Sequence, residues 1–600
     1  MTGYAQLWSG APAEWSDAGA AWRGLTGPVD GRRAELRTRA ATLRAGWSGG
    51  AAAAADGRIE ALRGELTGVL PALIEADQVL AEFAGRLRAA KARLADAVAL
   101  ADRSGVLVDR HGGVSAAPAP APRAGSEVWA GPEAGVVPGA AGGPGAAGGT
   151  RAGGGAGPGP LVRASSSAGP GAGAGPGAGA GPGAGAGPGA GAGPGAGAGP
   201  AAVDQVAAAV RDALALAAAA DREAAARLDE LSSAARSGWT APPPPGRPAS
   251  DAGVAEVRAW WTGLTPAQRR WLVVHEPGLS GRLDGIPAAA RDQANRLTLA
   301  VHREALLAVR RVLAVRFPRG PVEQAGLARI DASLAGLDAL AGRLAAAEQP
   351  RAYLLKVAPG GDGRAVVALG NPDRAGRVLT YVPGMTADLA DVPGELDRAG
   401  RVLSRCAGLG PGEQTAAVLW LDYDAPDFLH EAAWSTQARD AGPALHRFQE
   451  GLRATQEGAP ARQTVLGHSY GSVVVGAAAR DHGLAADALV FVGSPGVGVD
   501  RAEALRLPPD QVWSSTAPDD VIRRVEPPAQ LAGRAVLATS PLATAVSLLG
   551  RSDHELWFGH DPTDPGFGGR SFPSGRYGHT GYWEPGNPAL DGMARIVLGR

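Results

Sequence analysis

The sequence predicts an α/β protein with a doubly wound, mostly parallel β-sheet, preceded by all-α regions. From residue 353 onward, short apolar and β-branched runs alternate with helical patterns of about 10 to 20 residues, which indicates strands joined by helical crossovers. The run at 488–493 is almost entirely apolar, as a strand buried on both faces requires. Upstream of residue 350, apolar residues recur instead at helical spacing.

The predicted strands are short and rich in β-branched residues, and they lie at 353–357, 364–369, 377–383, 416–421, 463–466, 488–493 and 511–516. The predicted helices of this part carry one apolar face each, and they lie at about 386–408, 427–456, 470–482 and 588–598.

Composition divides the 600 residues into four parts. Residues 1–112 read as a helical hairpin, 351–600 as the α/β domain, and 201–350 as a helical region that packs on that domain. Between them, residues 113–200 are dominated by Gly, Ala and Pro, and the hexapeptide Gly-Pro-Gly-Ala-Gly-Ala repeats from Gly169. Such a segment cannot build a core, so we predict a disordered linker.

The N-terminal hairpin is predicted from two apolar stripes separated by Trp47-Ser48-Gly49. The first stripe has a period of seven and comprises Trp15, Trp22, Val29, Leu36 and Leu43. The second steps by three and four from Ile59 to Leu94. Pro28 and Pro71 are each expected to kink or restart a helix.

This segment resembles the Trp-x-Gly family of small helical-hairpin proteins that type VII systems export. The resemblance implies a helical protein partner for residues 1–112 and a route of export without a Sec signal.

Charge and cysteine content exclude several classes of function. The net charge of −1 gives no electrostatic case for nucleic acid. Cys406 stands alone, which excludes an intrachain disulfide and a cysteine-rich metal site. We find no secretory signal pattern and no apolar run of the ~20 residues that a transmembrane segment needs. The expected location is therefore the cytoplasm, or outside the cell without a Sec signal.

A Gly-x-Ser-x-Gly motif, Gly467-His-Ser-Tyr-Gly471, follows the strand predicted at 463–466 and opens a helix. This is the layout of a nucleophile elbow, in which glycines let strand and helix approach closely around an exposed serine. The sequence Gly46-Trp-Ser-Gly-Gly50 fits the same pattern, but no strand precedes it. Ser469 is therefore the candidate nucleophile.

An acid and a base follow Ser469 in the order typical of an α/β-hydrolase triad. Asp519 and Asp520 come after the strand at 511–516, and Asp520 is the favoured acid. His579 lies in a loop before the last helix and is the favoured base, with His560 as the competitor. A histidine can accept the serine proton near neutral pH, and a carboxylate fixes its tautomer.

Three further assignments complete this site. Backbone N–H groups of Tyr470 and Met385 are expected to form the oxyanion hole, because they follow the nucleophile and an earlier strand end. His468 is expected to support the elbow. Asp561 and Asp564 could suggest a metal, but the prolines between and after them favour a structured loop.

The part from about residue 255 to 600 resembles an actinobacterial α/β-hydrolase family of uncharacterised function. The motifs that carry the resemblance are Trp260-Trp261, Gly285-Ile-Pro-Ala, Arg291-Asp-Gln-Ala-Asn-Arg, Val382-Pro-Gly, Gly467-His-Ser-Tyr-Gly-Ser, Phe491-Val-Gly-Ser-Pro-Gly-Val-Gly-Val-Asp500, His560-Asp-Pro-Thr-Asp-Pro and His579 with Tyr582-Trp583. It implies a Ser469–Asp520–His579 triad, although the family more often has Asp-Pro where this chain has Asp520-Val521.

The sequence therefore predicts a serine hydrolase, esterase- or lipase-like, that cleaves a carboxylic ester or amide of a small or lipid-like acyl substrate. This chemistry needs no metal or organic cofactor. Two alternatives remain open: an effector exported by a type VII system, and a non-catalytic scaffold whose hairpin recruits partners. Residues 541–582 are expected to form a lid or rim over the site.

Overall fold

A computed structural model describes residues 3–116, 199–236, 242–249, 251–315, 320–346, 348–358, 363–426, 435–524 and 555–600. Most of the predicted linker, residues 117–198, lies outside this part of the chain. So do residues 427–434 of one predicted helix and residues 541–554 of the predicted rim.

The N-terminal region is built on one very long helix. Its elements are α1 (Tyr4–Ser9), α2 (Pro12–Gly24), α3 (Thr26–Gly46), α4 (Gly50–Ser104) and an antiparallel hairpin of β1 (Val106–Val108) and β2 (Val114–Ala116). The chain turns at Trp47-Ser48-Gly49, where Gly49 has a φ of 104°. Strand β2 occupies residues that composition had assigned to the linker.

Pro71 does not restart a helix, because α4 continues through it, whereas α3 begins just before Pro28. The predicted seam on α2 and α3 is not buried, because Trp15, Trp22 and Leu43 are 43 %, 48 % and 43 % exposed. Helix α2 approaches α4 closely at Gly19, where a side chain would collide with Asp77, and the Trp15 ring packs edge-on against Phe83 of α4 with centroids 5.1 Å apart.

The second helical region comprises α5 (Pro200–Arg236), α6 (Val254–Gly263), α7 (Pro266–His275), α8 (Pro277–Arg282), α9 (Ala288–Val315) and α10 (Pro321–Ala345). Helix α5 packs on α4, where Val206 and Val210 share a buried cluster with Leu87 and Leu94. It was expected to pack on the sheet instead. Helix α9 lies against the sheet edge, so only the later helices of this region follow that expectation.

The C-terminal region is a mixed, mostly parallel sheet flanked by helices, as predicted. Its elements are β3 (Ala352–Ala358), β4 (Arg364–Leu369), β5 (Arg377–Val382), α11 (Val392–Leu409), β6 (Thr415–Leu421), α12 (Thr436–Thr455), β7 (Arg462–His468), α13 (Tyr470–His482), β8 (Ala488–Val492), β9 (Val512–Ser515), the two-stranded pair β10 (Glu555–Leu556) and β11 (Gly559–His560), β12 (Arg570–Ser571) and α14 (Pro588–Leu598).

The strand order is β12-β9-β8-β7-β5-β6-β4-β3. Strand β4 runs antiparallel to β3 and β6, and the other neighbouring pairs are parallel. From β5 the chain moves to β6 on one side and then returns to β7 on the other. The carboxyl ends of β5 and β7 therefore flank a topological switch point, which is where ligands bind in open α/β sheets.

Polar side chains of α9 cover the exposed edge of β3. Asn295 Nδ2 donates to the carbonyl of Leu354 at 3.1 Å, Arg291 Nε donates to that of Leu355 at 3.0 Å, and the Leu354 N–H donates to Asp292 Oδ1 at 2.7 Å. An edge strand otherwise presents unpaired backbone groups, so these contacts close one side of the sheet.

The N-terminal region is joined to this edge by buried ionic contacts. Asp77 of α4 pairs with Arg351, which directly precedes β3, and with Arg23 of α2. All three side chains are at most 8 % exposed. Gln78 donates to Asp292 at 2.7 Å, so the same helix also meets α9. Among the described residues, no helix is long and apolar enough to cross a membrane.

Replacing Asp77 by Ala is expected to lower the free energy of unfolding of the N-terminal region by about 3–5 kcal/mol. The reason is that Arg351 would remain buried without its counter-charge. Hydrogen exchange of the α4 amides measures this loss. The matched control is Glu35→Ala, which breaks exposed pairs with Arg32 and Arg39 and should cost less than about 1 kcal/mol. Equal effects of the two substitutions would contradict the assignment.

Candidate active site

The turn between β7 and α13 holds Ser469 in a conformation that non-glycine residues rarely adopt. Its φ is 53° and its ψ is −127°. Glycines on both sides make this possible, because a Cβ at Gly467 would lie 2.6 Å from Ser472 Cα and one at Gly471 would lie 2.3 Å from the Val382 carbonyl oxygen. Backbone strain of this kind costs free energy and collects at functional sites.

The end of the neighbouring strand β5 lies directly against this serine. A Cβ on Gly384 would come within 2.7 Å of Ser469 Cβ and 3.3 Å of its Oγ. Tyr423 follows β6, and its hydroxyl donates to the carbonyl of Pro383 at 2.7 Å. Three adjacent strand ends thus fix the turn that contains Met385, and sequence reasoning had not singled out Tyr423.

Ser469, His579 and Asp520 lie in one line of hydrogen bonds. Ser469 Oγ lies 2.9 Å from His579 Nε2, and His579 Nδ1 lies 2.9 and 3.0 Å from the two oxygens of Asp520. With the proton on Nδ1, the imidazole donates to the carboxylate and accepts from the serine. Ser469 is 6 % exposed and the side chains of His579 and Asp520 are 25 % and 0 % exposed, so the imidazole in the middle is the most exposed member of the line.

The two aspartates that the sequence left as alternatives have different surroundings. Asp520 is buried, and besides His579 it accepts from the N–H of Ile522 at 2.8 Å and from the hydroxyl of Tyr582. Asp519 is exposed and accepts from the N–H of Gly578 at 3.1 Å. Its carboxylate therefore anchors the loop that carries His579, whereas that of Asp520 meets the imidazole itself.

Opposing effects act on the carboxylate of Asp520. Burial raises its pKa, but the hydrogen bonds from His579 and Tyr582 outweigh burial, so the pKa lies below its usual value. The group is consequently ionised at neutral pH. An ionised carboxylate is what the neighbouring imidazole needs if it is to become positively charged.

His468 is buried beside the base and is held neutral. Its Nε2–H donates to the backbone carbonyl of His579 at 2.9 Å, and the two rings are 4.9 Å apart. Burial and the nearby His579 lower the pKa of His468 to about 3. A ring that stays neutral can hold the His579 backbone in place without adding charge to the site.

The other candidates belong to a separate loop. His560 Nε2 contacts Asp564 Oδ1 at 3.0 Å, and Asp564 also accepts from the N–H of Gly566 at 2.7 Å. Asp561 accepts from the N–H and hydroxyl of Thr563 at 2.8 and 2.7 Å. These contacts organise the loop between β11 and β12. Among the described residues, no group of three or more His, Cys, Asp or Glu side chains could hold a metal ion.

The expected oxyanion-hole residues flank Ser469. Tyr470 is the first residue of α13, where the helix dipole favours negative charge. Met385 follows the Gly384 turn that touches the serine. Phe558 packs edge-on against the Tyr470 ring with centroids 6.0 Å apart, so residues from the predicted rim do reach this corner.

Sequence reasoning missed two residues at the heart of this cluster. Tyr582 was noted only within a family-like ending, and Gly493 only as the end of a strand. A Cβ on Gly493, whose φ is 55°, would lie 2.9 Å from Asp520 Oδ2 and 3.2 Å from His579 Nδ1. The glycine after an apolar strand is a possible signal, but every strand end in a glycine-rich chain offers one.

Comparisons with known proteins agree with this fold. Residues 358–532 match a family described as alpha/beta hydrolase. The uncharacterized protein Rv2079 of Mycobacterium tuberculosis H37Rv is 31 % identical over 386 residues, which are 60 % of this chain and 56 % of the relative. The chain thus spans little more than half the length of that relative.

Two further comparisons differ in coverage. The uncharacterized protein Rv0963c of the same strain is 31 % identical over 204 residues, which are 32 % of this chain and 76 % of the relative. The apoenzyme structure of S-formylglutathione hydrolase (FrmB) from Staphylococcus aureus matches with a TM-score of 0.23 and 10 % identity, over 42 % of this chain and 97 % of the other. On the sequence matches and the topology, the chain belongs to the α/β-hydrolase family that it shares with these mycobacterial proteins.

Proposed function

We propose that the protein is a serine hydrolase that cleaves a carboxylic ester, or an amide, through an acyl-enzyme on Ser469. The observation that carries the proposal is the continuous line of contacts from Ser469 Oγ through His579 to Asp520, with 2.9 Å at each link. Nucleophile and base within hydrogen-bonding distance, with the base held by a third group, are the signature of an activated serine.

In the proposed reaction, Ser469 Oγ attacks the acyl carbonyl carbon while His579 Nε2 takes the hydroxyl proton. The negative charge that forms on the carbonyl oxygen is bound by the N–H groups of Tyr470 and Met385. His579 then gives its proton to the leaving alcohol or amine as the acyl bond breaks. Water repeats these steps, with His579 as base, and releases the carboxylic acid.

The burial of the acid supports its role in this scheme. Asp520 lies under the imidazole, and its lowered pKa keeps it ionised while His579 carries a proton. The attraction between a carboxylate and an imidazolium is stronger at a buried site than in water, because the surroundings screen the two charges less. The substrate class we propose is an ester of a small or lipid-like acyl group.

A second candidate function concerns the N-terminal helices. Trp15 and Trp22, seven residues apart on one face of α2, are 43 % and 48 % exposed, and Trp8 of α1 is 50 % exposed. Indoles in such numbers are costly to leave in water and are enriched at protein interfaces. We propose that this face binds a helical protein partner, and that such a partner belongs to a type VII export route.

Replacing Ser469 by Ala is expected to reduce ester hydrolysis by at least about 10⁴-fold, because the nucleophile is lost while binding groups remain. A fluorophosphonate probe should label the wild-type protein and not this variant. Ser48→Ala is the matched control, since Ser48 lies in the other Gly-x-Ser-x-Gly sequence and should change neither result. Labelling of the Ser469→Ala variant, or its full activity, would refute the proposal.

Replacing Asp520 by Asn is expected to lower kcat by about 10⁴-fold with little change in folding, because the amide favours the wrong imidazole tautomer. Asp519→Asn should cost less than about tenfold, since the hydrogen bond of Asp519 within the described part of the chain is to a loop N–H and not to the imidazole. Steady-state kinetics on a short-chain p-nitrophenyl ester compare the two. The reverse ranking would make Asp519 the acid.

The partner-binding face is tested by export. In a host with a type VII system, the extracellular fraction of the chain should fall when the system's ATPase is deleted. It should also fall in a Trp15→Ala, Trp22→Ala double variant, because the exposed indoles are lost. Val301→Ala, at a residue of α9 that is 58 % exposed, is the control and should be exported normally. An unchanged extracellular fraction in the deletion strain would refute export.

A further inference from the structure

Tyr582 lies where the acid, the base and two strand ends meet. Its ring is fully buried. Its hydroxyl accepts from the N–H of Ala517 at 2.9 Å and donates to Asp520 Oδ2. The same carboxylate oxygen lies 3.0 Å from His579 Nδ1. One carboxylate thus receives hydrogen bonds from two side chains that are three residues apart in the sequence.

We propose that Tyr582 is a positioning residue of the reaction, whose phenol orients Asp520 and keeps it ionised so that the carboxylate can hold His579. This inference rests on the function proposed above and extends it to a residue outside the triad. Tyr582 has no exposed surface for a substrate, and its hydroxyl reaches the triad at Asp520, so we expect it to act through that carboxylate.

The arrangement around Tyr582 leaves little freedom for the carboxylate. A Cβ on Gly493 would lie 2.9 Å from Asp520 Oδ2, 3.1 Å from Tyr582 Cε2 and 3.2 Å from His579 Nδ1. Gly493, which follows β8, therefore packs closely against all three side chains. Asp520 Oδ1 accepts from the Ile522 N–H at 2.8 Å, while Oδ2 accepts from the phenol and lies 3.0 Å from His579 Nδ1.

The phenol is suited to donate under all assay conditions. Burial and the hydrogen bond to Asp520 raise the pKa of Tyr582 far above its usual range, so the hydroxyl keeps its proton. The bond from Tyr582 is also one of the causes that lower the pKa of Asp520. Without it, burial would weigh more heavily, and the carboxylate would become protonated at a higher pH.

Four charged or titratable side chains of the described residues lie near this junction. His579 lies above Asp520, and His468 lies beside His579 with its pKa lowered to about 3 by burial, so it stays neutral. Arg523 acts on Tyr582 from the exposed turn after Asp520, and Arg398 of α11 lies over the Trp583 ring at 5.0 Å. Asp520 Oδ2 therefore has two side-chain partners, the phenol of Tyr582 and, at 3.0 Å, Nδ1 of His579.

Replacing Tyr582 by Phe keeps the packed ring and removes only the hydroxyl. We expect kcat to fall about 10- to 100-fold, the equivalent of one hydrogen bond to a charged group, with KM unchanged. The acidic limb of the kcat/KM profile should move to higher pH, because a carboxylate that has lost the hydrogen bond of the phenol attracts the proton of the neighbouring imidazole more strongly. A residue with only a packing role would lower the profile evenly and leave its limb in place.

Tyr577→Phe is the matched control, because Tyr577 is a 44 % exposed tyrosine in the same loop. It should leave both kcat and the acidic limb unchanged. If Tyr582→Phe, folded as judged by its thermal unfolding, keeps the wild-type limb, the inference is wrong while the proposed hydrolase stands. A limb that moves equally in both variants would also overturn it.

A measurement without substrate separates this inference from the proposed function. If wild-type protein neither reacts with a fluorophosphonate nor hydrolyses esters, the proposed function fails. The coupling can still be measured without activity, by following the ring ¹⁵N chemical shifts of His579 through a pH titration. The His579→Gln variant assigns these signals in protein with ¹⁵N-labelled histidine. A midpoint that differs between wild type and Tyr582→Phe supports the coupling, and identical curves refute it.

Discussion

The site depends on one constraint, the close approach of β7, α13 and the end of β5 around Ser469. The approach requires glycine at 467, 471 and 384, because a single Cβ at any of them would overlap backbone or the serine itself. It also requires Ser469 to hold a φ of 53°. The surrounding buried strands supply the packing that keeps this strained turn in place. The position of the candidate nucleophile therefore depends on the order of the strands in the sheet.

The acid and the base reach Ser469 from distant parts of the chain. Asp520 follows β9, and His579 comes from the loop before α14, yet both rest on Gly493 at the end of β8. Their loops are also tied to one another, since Asp519 accepts from Gly578 and Asp520 from Tyr582. His468 adds a link from the elbow to the His579 backbone. Together, these hydrogen bonds fix the loops of the acid and the base relative to the turn that carries Ser469.

The helical regions pack against the edge of the sheet that β3 forms, away from the candidate site at the ends of β5 and β7. Helix α9 satisfies the backbone of β3, and α4 meets both α9 and Arg351 through buried polar contacts. The resemblance motif Arg291-Asp-Gln-Ala-Asn-Arg therefore has a structural reason: it covers a sheet edge. Because β3 and β7 are separated by β4, β6 and β5, these helices support the sheet and leave the candidate site to the loops.

The sequence by itself determined β3 to β9, the elbow and the order of serine, acid and base, because these depend on local periodicity and on glycine spacing, whereas the two-residue strand β12 is too short to show a period. It could not say which aspartate turns inward, since Asp519 and Asp520 are neighbours with the same chemistry. It also placed Trp15 and Trp22 in a buried seam, because a period of seven shows a shared face but not what covers it. Tertiary structure decided these points, and it alone brought Tyr582 to Asp520, because contacts between residues 62 positions apart leave no local pattern.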